Sequence, residues 1–345
     1  MLRAWGAALL ALAVLFAAGD VALRWALPAS SLATPVPLSS PAVLDASLDA
    51  LRRADGLRVA LLGDSVVYGR ALEERGDWRG GELGRQLGTR LDATVVNLAM
   101  EGALPTDQER LVEHVLAAGV DLVVLDVSLR SFSADFAEGT LSREWLAMAP
   151  GAVVDGGPGV GGEVEGGLAR LVHRVWALPR YRAWLQARYI DGAPKDAVKR
   201  ARDAANDWLL GTPLPSEDDA LEAELTLMLK AKGRYATVEL DGHPQLAALE
   251  RLVRRLAETG TPTILFYATE SPAMLPQLVD EARHREQLAA LEGRLRDAGG
   301  ESVAWLGFED GLPASHFIDH VHRTEDGLAA LADRVARAAT DVLGR

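Results

Sequence analysis

Short apolar runs alternate with amphipathic segments along most of this chain. A strand buried on both faces of a sheet reads as such a run, because neither side of it meets water. The runs predict five strands, at residues 57–62, 94–99, 121–126, 263–268 and 302–306. Segments with apolar residues at helical spacing predict helices at 42–53, 79–91, 107–118, 218–232, 244–259, 275–298 and 325–343.

This order of elements is typical of a parallel sheet whose crossover helices cover both faces. We therefore predict an α/β fold, a three-layer α/β/α sandwich with a five-stranded parallel sheet. The alternation breaks between about residues 133 and 242, where the sequence predicts a helical insertion with a glycine-rich loop at 151–167. Such sheets bind ligands at the carboxyl ends of their strands, so reactive residues are expected there.

The first 27 residues carry a different pattern. Arg3 precedes an apolar run at 4–19, and a second apolar stretch reaches Leu27 without forming a polar face. The pattern is typical of a membrane anchor or a signal peptide, and the lack of a convincing cleavage site favours an uncleaved anchor. A linker rich in Pro, Ser and Ala follows at 28–41. We expect the main domain, residues 42–345, at the extracytoplasmic face of the membrane, in the periplasm or cell envelope.

Composition argues against several classes of function. The formal net charge of −13 disfavours nucleic-acid binding, because an acidic surface repels phosphate backbones. The absence of cysteine removes disulfides, thiolate catalysis and cysteine-based metal centres. The seven histidines show no metal-binding spacing such as HExxH, so we expect no metal and no other cofactor.

Two segments at opposite ends of the main domain hold residues suited to nucleophilic catalysis. Ser65 follows the first predicted strand and a turn glycine, where its hydroxyl would be presented beside a helix N-terminus. Asp319 and His322 lie three residues apart before the last helix, so they can share one face of a turn. A serine needs a base to remove its proton, and the base needs a carboxylate to fix its tautomer.

The same residues have structural interpretations as well. A Gly-Asp-Ser tripeptide often marks a turn or a helix cap. The segment around Asp319 could be a solvated loop that enters the last helix, with Asp319 or Thr324 as its cap. His320 is a rival base on this loop, but its neighbouring position is expected to point it elsewhere.

Together the two segments resemble the SGNH (GDSL-type) hydrolase superfamily. Its first block is Gly-Asp-Ser after strand one, as in Gly63-Asp64-Ser65, and its last block is Asp-x-x-His before the final helix, as in Asp319 to His322. The likeness covers residues 57–131 and 261–343. It implies a flavodoxin-like fold, a triad of Ser65, His322 and Asp319, and action on ester bonds through an acyl-enzyme. Asp64 is a further candidate for contact with substrate.

The intermediate blocks of the superfamily match unevenly. The stretch from Asn97 to Gly102 reproduces the second block, which makes the Gly102 amide an oxyanion donor beside the Ser65 amide, although a turn glycine is the simpler interpretation. The third block normally reads Gly-x-Asn-Asp, and here the chain has Asp-Val-Ser128-Leu-Arg130 instead. The missing asparagine leaves Ser128 or Arg130 as candidates for its replacement.

The anchor, the altered third block and the insertion resemble the membrane-attached SGNH-like proteins of cell-envelope acylation, such as the alginate O-acetylation proteins and the DltD type. That resemblance implies action on an acyl group of an envelope polysaccharide, with acetyl as the first candidate, and a multi-spanning membrane O-acyltransferase as partner. The alternatives are a catalytically weak scaffold or glycan-binding component of an acylation complex, and a lipid esterase.

Aromatic and basic residues cluster in the insertion. Aromatic faces stack on sugar rings and arginines bind anionic groups, so a substrate-binding role is one interpretation. The interpretation that we favour is an amphipathic helix that packs its aromatic side chains on the core. The candidates for substrate binding are Trp176, Tyr181, Arg182 and Trp184.

Overall fold

The computed structural model describes residues 41–69, 83–138, 228–307 and 311–344, together with the single residues Ala18 and Leu38. Within these residues, five strands form one sheet in the order β2-β1-β3-β4-β5, and every neighbouring pair is parallel. The strands are β1 Leu57–Leu62, β2 Ala93–Asn97, β3 Leu122–Val127, β4 Thr263–Tyr267 and β5 Val303–Leu306. The predicted α/β fold with a five-stranded parallel sheet is confirmed.

Helices precede, connect and follow the strands. In the described residues they are α1 Pro41–Arg53, α2 Ser65–Tyr68, α3 Leu83–Leu91, α4 Pro105–Ala117, α5 Pro244–Glu258, α6 Leu275–Leu278, α7 Glu281–Gly299 and α8 Glu325–Leu343. Residues 228–236 are also helical. None of the helices in this part of the chain combines the length and the apolar character that crossing a bilayer requires.

Alternate side chains of each strand enter two separate cores, as the period of two of a β-strand requires. In β1, Ala60 and Leu62 pack toward one face of the sheet, with apolar residues of α1, α4, α5 and α7. Val59 and Leu61 pack toward the other face, with apolar residues of α3 and α8. The strands are buried on both sides for this reason, which accounts for their apolar sequences.

The strand order places a topological switch between β1 and β3. The chain moves from β1 outward to β2, then returns to the other side of β1 as β3 and continues outward to β4 and β5. At such a point the connections leave in opposite directions and open a crevice at the carboxyl ends of the strands. The segments that follow β1 and β3, at residues 63–65 and 128–131, border this crevice.

One predicted helix, at 275–298, is wrong in its continuity. The structure has two helices here, α6 and α7, separated by Val279 in an extended conformation. The cause is Asp280, whose side chain accepts a hydrogen bond from the Arg283 amide at 2.9 Å and so caps a new helix.

The described ends of the insertion lie against each other beside β3. Ser133 and Val238 form an antiparallel bridge, and the Glu239 amide donates to the Phe132 carbonyl at 3.0 Å. The predicted helix at 218–232 is described only from residue 228, and it continues to residue 236. Residues 139–227 of the insertion lie outside the described residues. The predicted anchor and linker also lie there, apart from Ala18, Leu38 and residue 41.

Candidate active site

Ser65 begins the single helical turn α2, immediately beyond the carboxyl end of β1. Asp64 has an extended backbone, and its side chain accepts a hydrogen bond from the Val66 amide at 2.8 Å, which caps the turn. Gly69 ends the turn with a φ of 80°, a conformation that favours glycine, and its amide donates to the Ser65 carbonyl. This turn lifts the Ser65 side chain onto the rim of the sheet.

The segment before α8 brings an imidazole and a carboxylate to the same rim. His322 Nε2 lies 3.0 Å from Ser65 Oγ, and His322 Nδ1 lies 2.6 Å from Asp319 Oδ2. The other carboxylate oxygen, Asp319 Oδ1, accepts from the amides of Val321 and His322 at 2.8 and 2.7 Å. Three predicted residues from opposite ends of the chain therefore stand in hydrogen-bonding order, carboxylate to imidazole to hydroxyl.

Electrostatics keep the Asp319 carboxylate charged. Its burial alone would raise its pKa, but the hydrogen bonds and positive charge of His322, with the Val321 amide, hold the pKa of Asp319 well below its usual range. An ionised Asp319 accepts a hydrogen bond from the N–H at Nδ1 of His322. The second ring nitrogen, Nε2, is then left to exchange a proton with Ser65.

His320, the other histidine of this loop, also borders the crevice but makes different contacts. Its carbonyl accepts a hydrogen bond from the Ser271 amide at 2.8 Å, which ties the loop to the segment after β4. Burial and then the nearby charge of Arg130 lower the pKa of His320. His322, and not His320, is the histidine bonded to Ser65.

A cleft of about 460 Å³ opens in front of Ser65. It receives residues from the ends of β1, β2 and β3, from the loop before α8, and from the exit of the insertion at 228–234. Its lining includes Asp64, Ser65, Glu101, Gly102, Ala103, Leu104, Ser128, Arg130, Met228, Lys230, Arg234, Met274, Ile318, Asp319, His320 and His322. The predicted residues Asp64, Gly102, Ser128 and Arg130 thus all meet at this cleft.

Each predicted oxyanion candidate has a distinct position. Gly102 follows β2 with a φ of 66°, which favours glycine. Ser128 follows β3 directly, and its hydroxyl accepts a hydrogen bond from Arg130 Nε at 3.1 Å. Arg130 Nη2 donates to Asp64 Oδ2 at 3.3 Å, and the Arg130 side chain is only 16% exposed. The guanidinium is therefore held between Ser128 and the cap of the Ser65 turn.

The structure adds a buried polar cluster that the sequence did not indicate. The Glu270 carboxylate accepts hydrogen bonds from the hydroxyls of Tyr235 and Tyr267, and it faces His284. Burial raises the pKa of Glu270, but the bonds from His284, Tyr235 and Tyr267 outweigh it and leave the pKa lowered. Burial raises the pKa of both tyrosines well above the ordinary value, so both remain donors. The cluster joins the exit of the insertion, through Tyr235, to the end of β4 and to α7.

Asp126 is a second residue that we did not single out as functional. It is the next-to-last residue of the otherwise apolar strand β3, and it is 3% exposed. A carboxylate within a buried apolar run was the signal that could have identified it, because such a group needs partners. The four insertion candidates, Trp176, Tyr181, Arg182 and Trp184, lie outside the described residues.

Comparisons with known proteins give remote likenesses only. No protein-family model matches the chain, and no curated protein matches its sequence. A lipolytic protein of the G-D-S-L family from Desulfitobacterium hafniense shares 11% identity, over 82% of this chain and 99% of that one, with a TM-score of 0.36. An acetylxylan esterase from Geobacillus stearothermophilus shares 14% identity, over 85% and 96%, with a TM-score of 0.37. A family two carbohydrate esterase from Clostridium thermocellum shares 10%, over 84% and 66%, with a TM-score of 0.41.

Proposed function

We propose that this protein is an SGNH-type serine esterase or O-acyltransferase that forms an acyl-enzyme on Ser65. The observation that carries the proposal is the series Asp319, His322, Ser65, with separations of 2.6 and 3.0 Å, at the mouth of a cleft. Hydrogen-bonded groups in this order activate serine for acyl transfer on unrelated folds.

The proposed reaction has two halves. In the first, Ser65 Oγ attacks the carbonyl carbon of an ester while His322 Nε2 takes the hydroxyl proton, and the C–O bond to the alcohol breaks as His322 returns that proton to the leaving oxygen. In the second, a water or an acceptor hydroxyl attacks the acyl carbon while His322 Nε2 takes the attacking group's proton. The bond from the acyl carbon to Ser65 Oγ then breaks as His322 passes that proton to Ser65, and the free acid or the new ester is released. Asp319 stabilises the imidazolium that forms in each half.

The oxyanion would be stabilised by amides and by one hydroxyl. The Ser65 amide stands at the start of α2, and Gly102 borders the cleft beside it. Of the two candidates after β3, we favour Ser128 over Arg130. The Arg130 guanidinium is engaged by Ser128 and Asp64, whereas the Ser128 hydroxyl accepts from Arg130 and so keeps its own proton for donation. A hydroxyl polarised by a cation is a stronger donor than an isolated one.

For the biological substrate, we propose an acyl group, with acetyl first, on a cell-envelope polysaccharide. An apolar N-terminal segment behind Arg3 supports a membrane-anchored protein at the extracytoplasmic face. A cleft of about 460 Å³ has the size of a small-molecule site and would admit a sugar unit. A multi-spanning membrane O-acyltransferase is the proposed partner. Fractionation of cells that express the full chain tests the anchor. If the anchor is present, the protein should remain in the membrane fraction after a carbonate wash.

Covalent labelling tests the chemistry. An alkyl fluorophosphonate should modify purified protein once, on Ser65, and the Ser65→Ala variant should not react. A 4-nitrophenyl acetate assay should show turnover that the same variant loses. Wild-type protein that is folded but neither labelled nor active would contradict the proposal.

Two alternatives are separated by further measurements. A scaffold or glycan-binding component is favoured by the missing third-block asparagine. It predicts equal acylation of envelope glycan in cells with wild-type protein and with Ser65→Ala. A lipid esterase predicts faster cleavage of long-chain 4-nitrophenyl esters than of the acetate.

A further inference from the structure

Asp126 lies directly beneath the turn that carries Ser65. Its carboxylate accepts a hydrogen bond from the Asp64 amide, at 3.1 Å to Oδ1 and 3.3 Å to Oδ2. Gln108 of α4 approaches Oδ1 through Nε2 at 3.5 Å. The carboxyl group is also packed against Gly63, where an added Cβ would stand only 2.5 Å from Oδ1. Asp126 therefore touches both residues that precede the nucleophile.

The neighbourhood of Asp126 does not suit a second negative charge. The Asp64 carboxylate is adjacent, and it is already bound to the Val66 amide and to Arg130. Two cationic side chains face the pair, Arg130 from the turn after β3 and Arg323 from the segment before α8. Burial and then the charge of Asp64 raise the pKa of Asp126 well above its usual range, and these cations do not reverse the effect.

We propose that Asp126 is a positioning residue that acts as a neutral carboxylic acid, accepting from the Asp64 amide and sharing its own proton with the Asp64 carboxylate. The two bonds would fix both the backbone and the side chain of the residue that caps the Ser65 turn. Asp126 touches no reacting atom in this role, and it acts on Ser65 through Asp64. The inference deepens the proposed function, and its kinetic test rests on that function.

A neutral acid and a primary amide have matching bonding capacity at this site. Each offers one carbonyl oxygen to the Asp64 amide and at least one proton to the Asp64 carboxylate. Asp126→Asn should therefore preserve the turn, whereas Asp126→Ala removes both bonds and leaves the Asp64 amide without its acceptor. The pair of variants separates the bonding role of Asp126 from its charge.

The test measures phosphonate labelling of Ser65 and turnover of 4-nitrophenyl acetate in the full chain. We expect Asp126→Asn to keep kcat within about threefold of wild type. We expect Asp126→Ala to lower kcat and the labelling rate by about 10- to 100-fold with little change in KM, because the nucleophile is misplaced while the cleft remains. Asp121→Asn is the matched control. Asp121 immediately precedes β3, at the end of the strand opposite to the site, and its carboxylate pairs with Arg58 at 2.9 Å. Its replacement should leave kcat unchanged.

An infrared measurement makes the inference independent of activity. At neutral pH, wild type should show the carbonyl stretch of a protonated carboxylic acid, and Asp126→Asn should lack it. The control Asp121→Asn should still show this band. If Asp126→Asn instead loses a carboxylate band, the inference is overturned. It is also overturned if Asp126→Asn is as impaired as a folded Asp126→Ala variant, or if Asp126→Ala is not impaired at all. An inactive, unlabelled wild type would refute the proposed function, and the infrared result would still decide the state of Asp126.

Discussion

Replacement of Gly63 by alanine should impair both stability and acylation of Ser65. The φ of Gly63 does not lie in the left-handed region, so the effect is steric. An added Cβ would lie 2.5 Å from Asp126 Oδ1, 2.7 Å from Val67 Cγ2 and 2.8 Å from Asp126 Cγ. Carbon contacts are comfortable near about 3.5 Å, so the neighbours must separate by roughly 1 Å. The side chains of Asp126 and Val67 are both buried, so neither can move into solvent.

The magnitude follows from what must move. Forcing a methyl group into a packed interior costs about 1–3 kcal/mol in the free energy of unfolding. Relief by movement of the 63–65 turn would shift Ser65 Oγ from His322 Nε2, which is now 3.0 Å away. Displacement of a nucleophile by about 1 Å can lower the rate about 100-fold. We therefore expect the labelling rate of Ser65 to decrease by more than the loss of folded protein explains.

Urea unfolding and fluorophosphonate labelling of the same preparation measure the two effects. Gly293→Ala is the control, because Gly293 lies within α7 with nothing within 4 Å of the added Cβ, and alanine there should stabilise by about 0.5–1 kcal/mol. In an Asp126→Ala background the cost of Gly63→Ala should fall, since two of the three close atoms are gone. Wild-type stability together with wild-type labelling of Gly63→Ala would refute the steric reasoning.

Three further predictions concern other parts of the site. Asp319→Asn should lower kcat by about 10³- to 10⁴-fold in the acetate assay. Because folding depresses the pKa of Asp319, the contribution of its carboxylate to the free energy of unfolding should be present above about pH 4 and be lost as the pH falls further. Urea titrations at pH 6 and pH 3 check this, and an equal difference between wild type and variant at both would contradict it. Ser128→Ala should lower kcat by about 100-fold with KM unchanged, since an oxyanion donor acts in the transition state; an unaltered kcat would exclude the hydroxyl. Tyr235→Phe should cost about 1.5–3 kcal/mol in unfolding free energy, because it removes a donor from the buried Glu270 carboxylate, and a cost near zero would show that Tyr267 and His284 suffice.

The boundaries of two elements could be predicted to the residue because their causes are local, whereas the predicted bounds of β2 to β5 differ from the structure by one or two residues. The run at β1 was located to the residue, since both of its faces are buried and its sequence is continuously apolar. The helix at 325–343 was also located to the residue, because Thr324 caps it and Gly344 ends it. The break before α7 was missed, although its cause is also local. The apolar spacing continues across Asp280, and a single capping side chain outweighed it.

That Ser65 and His322 lie at the same edge of the sheet could be anticipated from the places of their segments along the chain. The first block follows one strand and the last block follows the final strand, and parallel strands end at a common edge. The hydrogen-bonding order of the three side chains could be anticipated too, because Asp319 and His322 are three residues apart on one turn. The distances of 2.6 and 3.0 Å came from the tertiary structure.

The sequence by itself determined where the apolar strands run and which two segments carry the nucleophile, base and carboxylate. Only the tertiary structure decided that Asp126 lies under Asp64, that Arg130 joins Asp64 to Ser128, and that Tyr235 reaches Glu270 across 35 residues. The physical reason is the range of the interactions. Hydrophobic period and capping depend on neighbours a few residues away, whereas the partner of a buried polar group depends on which strand ends the sheet sets side by side.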